Sequence, residues 1–234
     1  MSKNKLEKFA QMAEFKNVVQ PDDIKDRHFG LKGSWAQNFF SNSNPLTLEL
    51  GCGKGEYTVG LGSVTPEKNF IGVDIKGARI YTGAKAALEQ GFKNVGFLRT
   101  RIDMIDNFFA EDEVSAVWIT FPDPQPKKQN KRLTSAYFLN LYRRILKDGA
   151  LVRLKTDSRL LHFYTLELLK VNNIVPLHHT DDLYASDCLD AQALSIKTYY
   201  EKQFLAQGKK ITYLDFVFDK NKEFVEIPKF VFEQ

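Results

Sequence analysis

The stretch LELGCGKGEYTVGL puts an acid, Glu49, at the end of an apolar run and then Gly51, Gly53 and Gly55 in a turn that opens a helix-length segment. Glycines let a backbone approach a ligand closely, and a helix N-terminus offers unpaired amides to a carboxylate or phosphate. A dinucleotide site asks for glycine or alanine at position 56, where this chain has Glu56, and the spacing also misses the phosphate-binding loop of nucleoside triphosphatases. Glu49 narrows the choice, because a carboxylate beside the loop repels a pyrophosphate but suits a ligand carrying an ammonium and a sulfonium. S-adenosylmethionine (SAM) carries both. Asp74, ending GVDI, can accept from both ribose hydroxyls, and Asp103 in TRIDMID is placed to reach the adenine amino group. The plainer alternative is that Glu49 caps a helix and Asp103 starts one.

A second constellation lies in FPDPQPKKQNKRL, where Asp123 is fixed between Pro122 and Pro124 and is followed by Lys127, Lys128, Lys131 and Arg132. The prolines restrict the acid's backbone, and the basic cluster can hold RNA phosphates while a base enters a pocket. The bland alternative is a solvated, proline-bounded turn. Asp157 in KTDS can join the same pocket or cap a helix, and Thr198 with Glu201 can contact a base or ribose or form a capping box. His178 and His179 precede Asp181 and Asp182, but adjacent histidines on a strand face opposite ways, so no metal is expected. Trp35, Phe39 and Phe40 read as an apolar anchor, with base stacking as the alternative.

Such residues need a frame. Apolar runs at 45–51, 69–75, 94–100, 114–121 and 150–156 alternate with amphipathic segments near 55–63, 77–90, 102–109, 134–147 and 158–172. That alternation predicts an α/β, Rossmann-like fold: a mostly parallel, seven-stranded sheet with helices on both faces and ligands at the carboxyl ends of the strands. The candidate acids of the first half lie at the ends of these runs or just after them. The segment YYEKQFLAQGKKITYLDFVFD predicts a C-terminal antiparallel element, read as a hairpin through Gly208 in preference to a helix leading into one strand. Residues 1–45, polar, lysine-rich and ending in SNSNP, read as an N-terminal basic arm, and 46–234 as the domain proper.

Composition bounds the class. With 234 residues and 43% hydrophobic content the chain can bury a full core, and a net charge of +4 is too small to announce a nucleic-acid binder without local clustering. Cys52 and Cys188 lie far apart without metal-ligand spacing, which favours a reducing cytoplasm over a disulfide or zinc site. No signal peptide and no 18-residue apolar run is present, so no membrane association is expected.

Taken together, LELGCGKGEY, GVDIKGARI, FPDPQPKK, LKTDS and TYYEKQFLAQGKKI resemble the tRNA (guanine-N7-)-methyltransferase family of class I methyltransferases, from about Trp35 to Leu214. The glycine loop is common to that class; the FPDP-x-PKK stretch with the later Thr-x-x-Glu is far more specific. The resemblance implies SAM as cofactor and tRNA as partner, with guanosine 46 of the variable loop as the target. It also implies that Glu49, Gly51, Gly53, Asp74, Asp103 and Asp123 contact the cofactor, with Asp123 the active-site acid. Lys127, Asp157 and the stretch from Thr198 to Glu201 match its substrate-contacting positions. The family usually has Trp where this chain has Gln125, and a longer basic stretch, which bears on stacking and on the tRNA contacts. A methyltransferase of proteins or small molecules, and a non-catalytic RNA-binding module on the same fold, are the competing readings.

Overall fold

The computed structural model describes residues 3–25, 28–187 and 190–228. Its centre is an eight-stranded sheet, β1 (Val18–Val19), β2 (Leu46–Leu50), β3 (Asn69–Asp74), β4 (Val95–Arg99), β5 (Val114–Thr120), β6 (Leu146–Thr156), β7 (His178–Thr180) and β8 (Thr212–Val217), in the order β1-β4-β3-β2-β5-β6-β8-β7. β8 runs antiparallel to both of its neighbours, and the remaining pairs are parallel. The seven strands expected become eight because one arm of the expected hairpin is helical while two short strands, β1 and β7, of two and three residues, are added at the sheet edges, too short to leave a period in the sequence.

The helices are α1 (Lys3–Ala13), α2 (Glu56–Val64), α3 (Gly77–Glu89), α4 (Ala136–Tyr142), α5 (Arg159–Val171), α6 (Ala191–Ser195) and α7 (Tyr199–Ala206), with a 3-10 turn over Ile102–Asn107. The central strands β2 and β3 are buried almost along their whole length, as a parallel sheet covered on both faces requires. Among the described residues no helix is long and apolar enough to cross a membrane.

The expected hairpin over 199–219 is corrected: its first arm is α7, and only 212–217 is a strand, which pairs with β6 and β7. Thr198 and Glu201 form a capping box that starts this helix, and Gly208, at φ 73°, follows its last turn, so local start and stop signals prevail over the alternating apolar residues. The N-terminal segment docks through Trp35, which is fully buried, stacks on Phe109 at 5.3 Å and donates from Nε1 to the Phe108 carbonyl at 2.8 Å. Cys52 is a buried free thiol, and Cys188 lies outside the described residues.

Candidate active site

The carboxyl ends of β2 and β5 lie side by side where the strand order reverses, with β3 and β4 on one side and β6 on the other, which is where an open α/β sheet forms its ligand crevice. Glu49 stands there with its side chain buried. It accepts hydrogen bonds from Thr58 Oγ1 of α2 and, at 2.5 Å, from Thr120 Oγ1 at the end of β5. Burial raises its pKa to about 7 in spite of those two hydrogen bonds. A desolvated acid so placed is a natural seat for a cation, since an ammonium restores the solvation that the carboxylate lacks.

The glycine loop is folded back over the end of β3. The amides of Gly51 and Cys52 both donate to the Val73 carbonyl, at 2.8 and 3.1 Å, and Gly53 N donates to Asp74 Oδ2 at 3.0 Å. Gly55, at φ 72°, starts α2 so close to β4 that a Cβ there would stand 2.5 Å from the Phe97 ring. Asp74 Oδ1 also accepts from Lys76 N at 2.8 Å, and each oxygen keeps lone-pair capacity for a ribose hydroxyl.

Two lobes of one cleft open from this point and share Gly51, Arg79 and Phe121. The first is also lined by Glu49, Gly53, Thr120, Thr198 and Tyr200, the second by Asp74, Asp103, Asp123, Gln125 and Lys131. The six expected cofactor residues therefore line adjoining walls. Asp103 lies in the first turn of the 3-10 segment, and both its oxygens are engaged by Arg101, whose hydrogen bonds hold the carboxyl below its ordinary pKa. An adenine amino group would share these oxygens with the guanidinium.

Asp123 is exposed at the mouth of the second lobe. Phe121 and Gln125, at φ 47° and 45°, bracket it in the left-handed region that non-glycine residues seldom enter, and Gln125 N donates to Asp123 Oδ1 at 3.0 Å. Lys127, Lys128 and Lys131 are exposed beside it. Arg132, expected to hold phosphate with them, is corrected: it is 1% exposed and turned inward, because its donors meet carbonyls of the same loop.

The C-terminal half supplies the remaining candidates. Asp157 follows β6 without capping α5, a role taken by Ser158, whose Oγ accepts from Leu161 N at 3.3 Å. It lies 3.8 Å from Lys209 Nζ and lines neither lobe. Thr198 faces the first lobe, while Glu201 has no exposed surface: its Oε1 is 2.8 Å from Lys155 Nζ and accepts from Tyr184 OH at 2.5 Å. Lys155, also fully buried, donates to the carbonyls of Ala193 at 2.5 Å and Ile196 at 2.9 Å. One ammonium thus gathers α6, α7 and β6, and the Thr198 wall is fixed through Glu201. Of the four residues read against a metal site, His178 has its Nδ1 3.0 Å from Asp215, Asp181 lies beside Arg159 and Asp182 beside Lys210.

Sequence reasoning missed Thr58, Thr120, Lys155 and Lys54, and named Tyr200 only as part of the stretch from Thr198 to Glu201. Lys54 Nζ lies 5.1 and 5.7 Å from the ring centres of Tyr199 and Tyr200, and Tyr199 N donates to Glu56 Oε2 at 3.1 Å, which joins α7 to the glycine loop. A lysine inside the apolar run ALVRLKT was a readable sign of a buried charge. The two threonines carried no such sign.

A family model described as "Putative methyltransferase" matches residues 43–214. The tRNA (guanine-N(7)-)-methyltransferase of Bacteroides fragilis is 52% identical over 97% of this chain and 90% of its own length. That of Christiangramia forsetii is 51% identical over 92% of this chain and 98% of its own. Among solved structures, a mutant 16S rRNA (adenine(1408)-N(1))-methyltransferase from Catenulisporales acidiphilia, holding its cosubstrate SAM, superimposes with a TM-score of 0.56 over 82% of this chain and 93% of that one. At 16% identity that likeness carries the fold alone.

Proposed function

The chain belongs to the tRNA (guanine-N7-)-methyltransferase family, and from that premise we propose that it transfers the methyl group of SAM to N7 of guanosine 46 in the variable loop of tRNA. The observation that carries the reading is Asp123, standing at the mouth of a cleft whose inner walls hold Glu49 and Asp74 and whose outer rim carries exposed lysines. SAM supplies an electrophilic methyl on a sulfonium. The N7 lone pair forms the new C–N bond as the C–S bond breaks, its electrons pass to sulfur, and the positive charge moves to the purine. No proton leaves N7, so no general base is needed, and no metal is needed either.

The work of the chain's own residues is therefore positional and electrostatic. Glu49 receives the ammonium end of the cofactor and Asp74 its ribose, with Gly51 and Gly53 giving close backbone approach; Asp103 takes the adenine end. Asp123 accepts from guanine N1 and N2 hydrogens, aims N7 at the methyl and favours the cationic product. Lys127, Lys128 and Lys131 hold phosphates. Thr198 contacts the substrate from the first lobe, Asp157 does so beyond it, and Glu201 acts from the interior by fixing Thr198. Residues 46–234 read as the methyltransferase domain and residues 1–45 as an arm whose β1 adds an edge strand to its sheet, and a tRNA substrate favours a cytoplasmic location.

Two measurements test this. Digestion of modified tRNA and mass spectrometry should find 7-methylguanosine at the variable loop; a methyl group elsewhere overturns the assignment. Asp123→Asn should keep the fold and cofactor binding yet slow the single-turnover rate by roughly 10²- to 10³-fold, the loss typical of a preorganised electrostatic group. A wild-type rate in that variant would remove Asp123 from the chemistry.

A further inference from the structure

Arg132 belongs by sequence to the basic cluster and by structure to something else. Its Nε donates to the Pro124 carbonyl at 3.1 Å and its Nη2 reaches the Pro126 carbonyl at 3.5 Å, so one guanidinium spans the two prolines that follow Asp123. Neither proline has an amide hydrogen of its own, and among the described residues no strand pairs with this turn. The guanidinium lies 4.2 Å over the ring of Tyr164, a fully buried residue of α5. Tyr164 OH donates in turn to Glu226 Oε1 at 2.8 Å. Glu226, in the C-terminal segment, also accepts at Oε2 from Ala136 N, the first residue of α4, at 3.3 Å, and lies 3.5 Å from Gln129 Nε2, which donates to the Ile227 carbonyl at 2.9 Å. The loop from 121 to 135 is thus held from beneath at its middle and at its exit.

Such support answers a need. Asp123 sits between two left-handed, non-glycine residues, and a conformation of that kind persists only where its surroundings over-determine it. We propose that Arg132 is a positioning residue of the methyl-transfer site: stacked on Tyr164, with Glu226 of the C-terminal segment beside it, it fixes the Pro-Asp-Pro turn and so the aim of Asp123. This rests on the function proposed above. The exposed lysines of the cluster supply charge to the substrate, and the buried arginine supplies geometry to the acid. Arginine suits the task because its rigid planar fork addresses two carbonyls and a ring face at once, which a lysine ammonium does not.

The test compares the full chain with Arg132→Gln, Arg132→Lys, Glu226→Gln and Tyr164→Phe. Arg132→Gln should lower the single-turnover rate at saturating SAM and tRNA by about tenfold or more, as misplacement of a reacting group does. Its tRNA affinity should stay within about twofold, and the slope of log affinity against log salt should equal that of the wild type, because no phosphate contact is lost. Arg132→Lys should not rescue the rate. Glu226→Gln and Tyr164→Phe, which keep side-chain volume and carry the test should Arg132→Gln fail to fold, should slow transfer in the same direction by a smaller factor. Hydrogen exchange, which needs no substrate, should speed up by about tenfold at the amides of Gln125 and Lys128 in the same variants as the turn opens more often. Unchanged exchange in Glu226→Gln and Tyr164→Phe overturns the brace whatever the substrate proves to be. A wild-type rate in Arg132→Gln with a salt slope flatter by about one unit would return Arg132 to phosphate binding. Failure of the wild-type protein to methylate tRNA, with exchange still accelerated in the variants, would sink the functional reading and leave the brace standing.

Discussion

The cleft has two walls, and they are held in different ways. On the side of β2, β3 and β4, the glycine loop bonds to Val73 and Asp74, and Asp74 bonds back to Gly53 and Lys76, so the wall is built from backbone and short acids close together in sequence. On the side of β5 and β6, the walls are loops and short helices gathered by two buried cations. Lys155 reaches Ala193, Ile196 and Glu201, and Arg132 is stacked on Tyr164 beside Glu226. The first wall is complete once β2, the glycine loop, α2 and β3 have come together. The second requires segments up to a hundred residues apart to arrive together, so it is the wall that distant substitutions can disturb. This division suits the two ligands: a small rigid cofactor meets a local frame, and a large RNA meets a surface assembled from several elements.

The second wall is most vulnerable at Lys155. Burial pulls its pKa below the ordinary lysine range, opposed by Glu201, and both partners are wholly removed from solvent. Lys155→Met should destabilise the fold by about 3 to 5 kcal/mol, because it leaves Glu201 a buried charge without its cation. Adding Glu201→Gln should recover part of that loss. Denaturant unfolding measures both. A single-variant loss below about 1 kcal/mol would show that the ion pair does not organise the second wall.

The same division explains what the sequence made legible. Glu49, Gly51, Gly53 and Asp74 could be named because strand, turn and helix signals fall within a few residues of one another, and the structure sets all four on the cleft. Asp123 was legible for the same reason, through its flanking prolines. Arg132 was misread because no residue type beside it distinguishes it from Lys131, and what turns it inward, the Pro124 and Pro126 carbonyls and the Tyr164 ring thirty-two positions away, appears only once the chain is folded. α7 was misread as an extended arm although Thr198, Glu201 and Gly208 spelled out its ends, because the alternating apolar residues around it were given more weight than the caps. Thr58 and Thr120 were invisible, since their meeting on Glu49 is a product of sheet order.

A smaller effect is expected at Asp74, and it probes the first wall alone. Asp74→Ala removes the acceptors for the ribose and for the amides of Gly53 and Lys76, so SAM affinity should fall by about 1 to 3 kcal/mol while tRNA binding holds. Isothermal calorimetry measures the first and a salt-resolved binding curve the second. Equal losses of both affinities would mean that the two walls are not independent.

The smallest effect is a pH dependence at Glu49. Its pKa stands at about 7 against an ordinary 4.5, through burial, with the Thr120 and Thr58 hydrogen bonds pulling the other way. At pH 6 the ligand-free carboxyl is therefore largely protonated, and a cationic ligand, which favours the carboxylate, must displace that proton on binding. SAM affinity should accordingly rise as pH rises from 6 to 7.5, by at most about tenfold, and level off as Glu49 becomes ionised in the free protein. Above about pH 7.7 the ligand's own ammonium begins to deprotonate and the gain should reverse. Stability of the ligand-free protein runs the other way. Because the folded state holds this proton over a range in which the unfolded chain has released it, stability should decline as pH climbs from 4.5 toward 7. Glu49→Gln should flatten both trends. Calorimetry in two buffers of different ionisation enthalpy counts the proton directly; a wild-type titration that releases none at pH 6.5 would place the ammonium somewhere other than Glu49. Glu226→Gln, which acts on the opposite wall, should leave this proton release as it is.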